Sequence, residues 1–205
     1  RVQEDHSNSE HRYKTENDIR FYFVVNIQFP DYDPPMIYDR TDGVGYSLVV
    51  YFTMKQDIDW NDSQNNAAKL FRKFTHAPLD GTSRKSVKGR FKCICQVAKL
   101  DELDVGLILG NTLRKFNGKP FLAAPMQRYY EGQDYLEVDV DVHEFTWAAR
   151  KGVRSVRDMI KDFEVDLGFL IEGRGDGECP ERLLGAVRVS KLNPDNAKWL
   201  DALYE

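Results

Sequence analysis

The sequence predicts an α+β fold, a mainly antiparallel sheet packed by a long amphipathic helix and at least one further helix. Three observations carry that expectation. Short runs of β-branched and aromatic residues recur along the chain, separated by loops rich in Asp, Pro and Gly. Residues 135–142 alternate strictly, with Leu136, Val138, Val140 and Val142 on one face and Glu137, Asp139 and Asp141 on the other. Ala149, Val153, Val156, Ile160 and Phe163 then recur at the three- and four-residue spacing of a helix.

The elements follow in order. Residues 1–20 are polar and aperiodic and read as an N-terminal tail, disordered unless docked, while 21–205 read as a single domain. The apolar run that Pro30 ends predicts a first strand, and residues 46–54 a second. Asp62 or Ser63 can cap a helix that turns Ala67, Leu70, Phe71 and Phe74 inward. Beyond a turn at 78–81, Val87, Gly89, Phe91, Cys93 and Cys95 alternate with Lys88, Arg90 and Lys92, which predicts a long half-exposed strand with a basic outer face. Residues 107–109 and 121–124 are short apolar pieces on either side of a turn at 117–120. After the strand at 135–142 and its helix, two more strands are expected at 165–171 and 183–189, around a Gly-rich loop. Residues 196–204 suit a short closing helix, and no repeat or linker divides the chain.

Bulk properties limit the function. A chain of 205 residues hides roughly 70% of its unfolded surface on folding, enough for a sizeable core. Its net charge of −4 argues against a nucleic-acid partner, because phosphate binding wants a basic excess. Cys93, Cys95 and Cys179 are too few for a disulfide framework and suit a reducing, intracellular, cytoplasmic setting. Cys93 and Cys95 share one face of their expected strand and read as buried free thiols. The longest apolar runs fall far short of the roughly 20 residues that span a bilayer. The chain starts without a methionine, which leaves a removed leader open.

Catalytic patterns are missing. There is no G-x-S-x-G elbow, no H-E-x-x-H pair and no phosphate loop, and nothing orients Cys179 towards a histidine. No enzyme activity, cofactor or metal is therefore expected. Glu137, Asp139 and Asp141 have three readings: a solvated face paired with Lys88, Arg90 and Lys92, a headgroup contact, or a hard-cation site. Arg150, Lys151, Arg154, Arg157 and Lys161 lie largely off the apolar stripe of their helix. Such a basic face either stays in solvent or meets an anionic membrane, where each cation contributes on the order of 1 kcal/mol. These five residues, with Lys88, Arg90 and Lys92, are the candidate ligand- or membrane-binding residues.

The segments YYEGQDYLEVDVDV at 129–142 and PERLLGAVRVSKL at 180–192 resemble the C-terminal domain of the plant enhanced-disease-resistance-two family. FVVNIQFP, YSLVVYF, RFKCICQVAKL, VGLILGNTL and KPFLAAP follow the same family in order and spacing, so the resemblance spans residues 21–192. It implies a domain that follows a pleckstrin-homology and a START lipid-transfer domain in proteins acting at membranes, with no agreed catalytic residues. The basic helix departs from the family pattern, which is more apolar there. The expected function is a non-catalytic module for a lipid or apolar ligand at a membrane surface, with peripheral membrane association. The alternative is a protein-interaction or scaffold domain without a small-molecule ligand.

Overall fold

Alternating apolar residues build the first strand pair, β1 (Tyr22–Pro30) and β2 (Gly45–Thr53), which run antiparallel. The computed structural model describes residues 22–36, 43–55, 58–80, 83 and 85–199, apart from the side chain of Ile108. Eight strands in this span form two four-stranded sheets. The remaining strands are β3 (Phe91–Val97), β4 (Pro120–Leu122), β5 (Gln127–Glu131), β6 (Tyr135–Asp141), β7 (Glu164–Ile171) and β8 (Leu183–Ser190). The first sheet has the order β2-β1-β6-β5 and the second β4-β3-β7-β8. Every pairing is antiparallel except β1 with β6.

The longer strands are apolar on one face, and the two inner faces cover each other. Phe23 of the first sheet meets Phe91 of the second at 6.0 Å between ring centres, and Phe52 meets Phe169 at 5.8 Å. These edge-on contacts belong to a cluster that also holds Val25, Val138, Val140, Leu167 and Ile171. The first of three helices, α1 (Asn66–Thr75), adds Phe71 and Phe74, both packed against Phe23. The others are α2 (Leu107–Phe116) and α3 (Trp147–Val156).

The α+β class and the mainly antiparallel pairing agree with the sequence, and the details differ. Two sheets replace the one expected, because eight half-apolar strands need a second layer to bury them. The long helix stops at Val156 after ten residues. Ile160, half-buried, starts a 3-10 turn and buried Phe163 leads into β7, so their helix-like spacing does not continue the helix. Residues 107–109 open a helix that the sequence hid, since Gly106 at its start has no capping side chain. The cap of α1 is Asn65, downstream of Asp62 and Ser63. Tyr129 and Tyr130 lie in β5, a separate strand paired to β6. The expected closing helix is a single 3-10 turn, Pro194–Asn196, with residues 197–199 outside it and 200–205 beyond the described residues. The expected tail at 1–20 also lies outside them.

The face assignment of β6 has a direct test. Val138 and Val140 are buried between the sheets, while Asp139 is enclosed on the opposite, outer face. Val140→Ala is expected to cost about 1–3 kcal/mol through lost burial and a residual cavity. Asp139→Asn is expected to cost much less at neutral pH, because it removes a charge that burial disfavours. Equal costs in urea titration would overturn the assignment.

Candidate ligand pocket

Helix α1 begins where Asn65 accepts hydrogen bonds from the backbone N–H groups of Ala67 and Ala68, both at 3.1 Å. That cap holds the start of the helix beside two sheet edges, β2 and β8. Between them lies a cavity of about 390 Å³. Phe23, Phe52, Met54, Trp60, Phe71, Ile171 and Leu184 supply an apolar lining, and Lys55, Asn65, Glu178 and Arg182 supply polar groups. Phe52 stands close to β8 because residue 185 is glycine: a Cβ there would come within 2.5 Å of the Phe52 ring. An apolar cleft of this size with a few polar groups falls at the low end of small-molecule sites, which run from about 300 to 1,000 Å³.

The loop 172–182 forms one wall and is tied down by charge. Glu178 accepts from Lys73 at 2.7 Å, from Arg90 at 2.8 Å and from the Arg174 backbone N–H at 2.9 Å. Burial would raise the Glu178 pKa, but the Lys73 hydrogen bond, the Arg174 N–H and the charges of Arg90 and Lys73 outweigh it and hold the carboxyl below its usual value. Glu181 accepts from Lys92 at 3.0 Å and from the Gly173 N–H at 3.1 Å. Asn66 donates to the carbonyls of Asp176 and Cys179, at 3.0 and 2.9 Å.

These ties relocate three candidate residues. Lys88 and Arg90 belong to a 3-10 turn, Lys88–Arg90, and both are buried. The half-exposed basic strand therefore begins only at Phe91. The Lys88 ammonium lies 4.8 Å from the ring centres of both Phe74 and Tyr129. Arg90 and Lys92 pair with the loop carboxylates, and the strand opposite β3 is β7 rather than β6. Of the two thiols expected to be buried together, Cys93 is buried and Cys95 is exposed. Burial pushes the Cys93 thiol far up.

Most of the helix cations are engaged as well. Arg150 is 2% exposed, which corrects its placement on the polar face. Lys151 pairs with Asp33 at 2.7 Å, and Arg154 with Asp158 at 4.0 Å. Arg157 reaches Asp31 at 3.0 Å, Asp195 at 2.8 Å and the Tyr46 hydroxyl at 2.6 Å, bracing α3 to the segment after β1. Lys161 is exposed. The five share no continuous basic surface.

On the outer face of β6, Asp139 accepts from Gln28 at 3.1 Å, and Asp141 pairs with His143 at 2.9 Å and with Arg128 at 3.5 Å. Arg128 also pairs with Glu144. Burial, then the Asp139 charge and a shared hydrogen bond, raise the Glu137 pKa. Burial also raises that of Asp139, against opposing hydrogen bonds from Glu137 and Asn26. Among the described residues, no group of three His, Cys, Asp or Glu side chains is placed to hold a metal ion. No helix among them is long and apolar enough to cross a membrane.

Sequence reasoning missed the pocket. Phe52, Phe71 and Leu184 come from distant parts of the chain, and no local spacing links them.

The comparisons with known proteins bear on the whole chain. No solved structure matches it. A protein of Arabidopsis thaliana, "Protein ENHANCED DISEASE RESISTANCE 2-like", is 32% identical over 180 residues, which is 86% of this chain and 20% of the relative. The chain thus spans about a fifth of that relative's length. The family described as "Protein ENHANCED DISEASE RESISTANCE 2, C-terminal" matches residues 1–193, taking in the N-terminal stretch that the resemblance in the sequence left out. On that match, with the relative beside it, the chain belongs to the ENHANCED DISEASE RESISTANCE 2 C-terminal family.

Proposed function

We propose that the protein is a non-catalytic module that binds an apolar ligand in the cleft between β2, β8 and α1. The observation that carries this reading is the cavity of about 390 Å³, whose walls are mostly aromatic and aliphatic. Action at a membrane surface has weaker support. Lys88, Arg90 and Arg150 are buried and have little to offer a bilayer, which leaves Lys151 and Lys161 as exposed cations beside the half-buried Arg154. Peripheral membrane association is therefore secondary to ligand binding in this proposal.

A neutral apolar fluorophore such as Nile red tests the pocket. The protein is expected to bind it saturably. Ala67→Phe, which places a ring in the cleft from a half-buried helical position, is expected to abolish binding at an unchanged melting temperature. Equal binding by both proteins, or none by either, would overturn the reading. The alternative, a protein-interaction domain, would then take its place. Support for that alternative comes from exposed Tyr22, Tyr51, Tyr130 and Tyr135 on the outer face of the first sheet, around Glu137 and Asp139. Tyrosines of this kind are enriched at protein interfaces.

A further inference from the structure

Of the three charged side chains that line the cleft, two are cations. Lys55 and Arg182 carry positive charge, and Glu178 is the acid among the lining residues. Glu178 is already neutralised by two cations, Lys73 and Arg90, neither of which lines the cleft. Arg182 is exposed and makes no ion pair or hydrogen bond with a described residue. Its guanidinium presents a planar fork of donors suited to a carboxylate or phosphate.

Two further features favour an anion at the same place. Helix α1 starts at the cleft and has no acidic residue in its first turn, so the positive end of its dipole is not offset by a carboxylate. Asn65 uses its carbonyl oxygen for the helix cap, which leaves its amide N–H₂ group available to donate to a ligand oxygen. The lining also includes the buried apolar side chains of Phe23, Phe71 and Ile171.

We propose that the ligand is a single-chain amphiphile with an anionic head, the head held by Arg182 at the mouth and the chain lying against Phe23, Phe71 and Ile171. This rests on the apolar-cleft reading above. A volume of about 390 Å³ at the bottom of the usual small-molecule range suits one chain rather than two. A carboxylate and a phosphate head share the chemistry required here, so the test separates them.

Calorimetric titration of the whole protein with dodecanoate, dodecanol and a dodecanoyl lysophosphatidate decides the matter. At least one anion is expected to bind about tenfold more tightly than dodecanol, the effect of one charge-assisted contact, and the tighter anion identifies the head. In Arg182→Gln that advantage is expected to disappear while dodecanol binding stays unchanged, and Arg182→Lys is expected to restore part of it. Since Arg182 is exposed, both variants should melt like the wild type, which a thermal scan checks. Equal affinity for dodecanol and both anions would overturn the anionic head and leave the apolar cleft standing. An advantage retained in Arg182→Gln would overturn the role of Arg182. No binding of any of the three would overturn both this proposal and the cleft reading beneath it.

Discussion

Phe91→Ala is expected to destabilise the protein by about 3–5 kcal/mol, the usual range for deleting a buried aromatic side chain. Phe91 has no exposed surface and joins both sheets to α1. Its ring stacks on Phe169 at 5.9 Å with a 6° tilt, stacks on Phe74 at 6.2 Å, and meets Phe23 edge-on at 6.0 Å. Truncation leaves three rings facing a void that strands on either side cannot close, so the transfer loss and the cavity cost add. Typical domains have only about 5–15 kcal/mol in total, so the variant should lose a large part of its stability. Urea titration against Phe121→Ala provides the comparison, since Phe121 is exposed and has a single ring partner among the described residues, Phe145. A loss at Phe91 no greater than that at Phe121 would mean that the two sheets do not meet around Phe91.

Glu178→Ala is expected to cost about 2–4 kcal/mol, because it strands the Arg90 guanidinium, whose side chain is only 8% exposed. The lower part of the range allows for water reaching Glu178, which is 17% exposed. The effect carries a pH signature. The folded-state pKa of Glu178 lies below the ordinary glutamate value of about 4.5, so between the two the folded state binds fewer protons than the unfolded state. The stability from this group is fully present above about pH 4.5 and is lost as pH falls through the depressed folded value. Glu178→Gln should therefore flatten that part of the acid limb in denaturant titrations between pH 3 and pH 6. An acid limb identical to the wild type would show that Glu178 is not held by Arg90 and Lys73.

The charged ties also change what charge reversal on the helix should do. On the sequence alone, Arg154 and Arg157 avoid the apolar stripe, and reversing them should spare the fold. Arg157, however, binds Asp31, Tyr46 and Asp195, so Arg157→Glu would place a carboxylate against two others. Of the five, Lys161 is exposed and makes no ion pair with a described residue, so it probes a membrane surface without that complication.

Local pattern was enough to determine the strands that bury one face and the residues that face inward. Val138 and Val140 are buried where the period-two alternation of residues 135–142 puts them, because that alternation is a property of the extended backbone itself. The family was legible for a related reason: its segments at 129–142 and 180–192 are contiguous in the chain. Tertiary structure alone decided the rest. The same alternation that put Lys88 and Arg90 on a solvent face gave no warning that a 3-10 turn would bury both, Lys88 against the rings of Phe74 and Tyr129 and Arg90 against the carboxylate of Glu178, 88 residues away. Whether a basic residue faces water depends on the rings and acids the fold brings to it, and those are distant in sequence. The cleft depends on distance in the same way. Phe52, Phe71 and Leu184 are each ordinary apolar positions of a strand or a helix, and they come to line one cleft only where the edges of two sheets flank the start of α1.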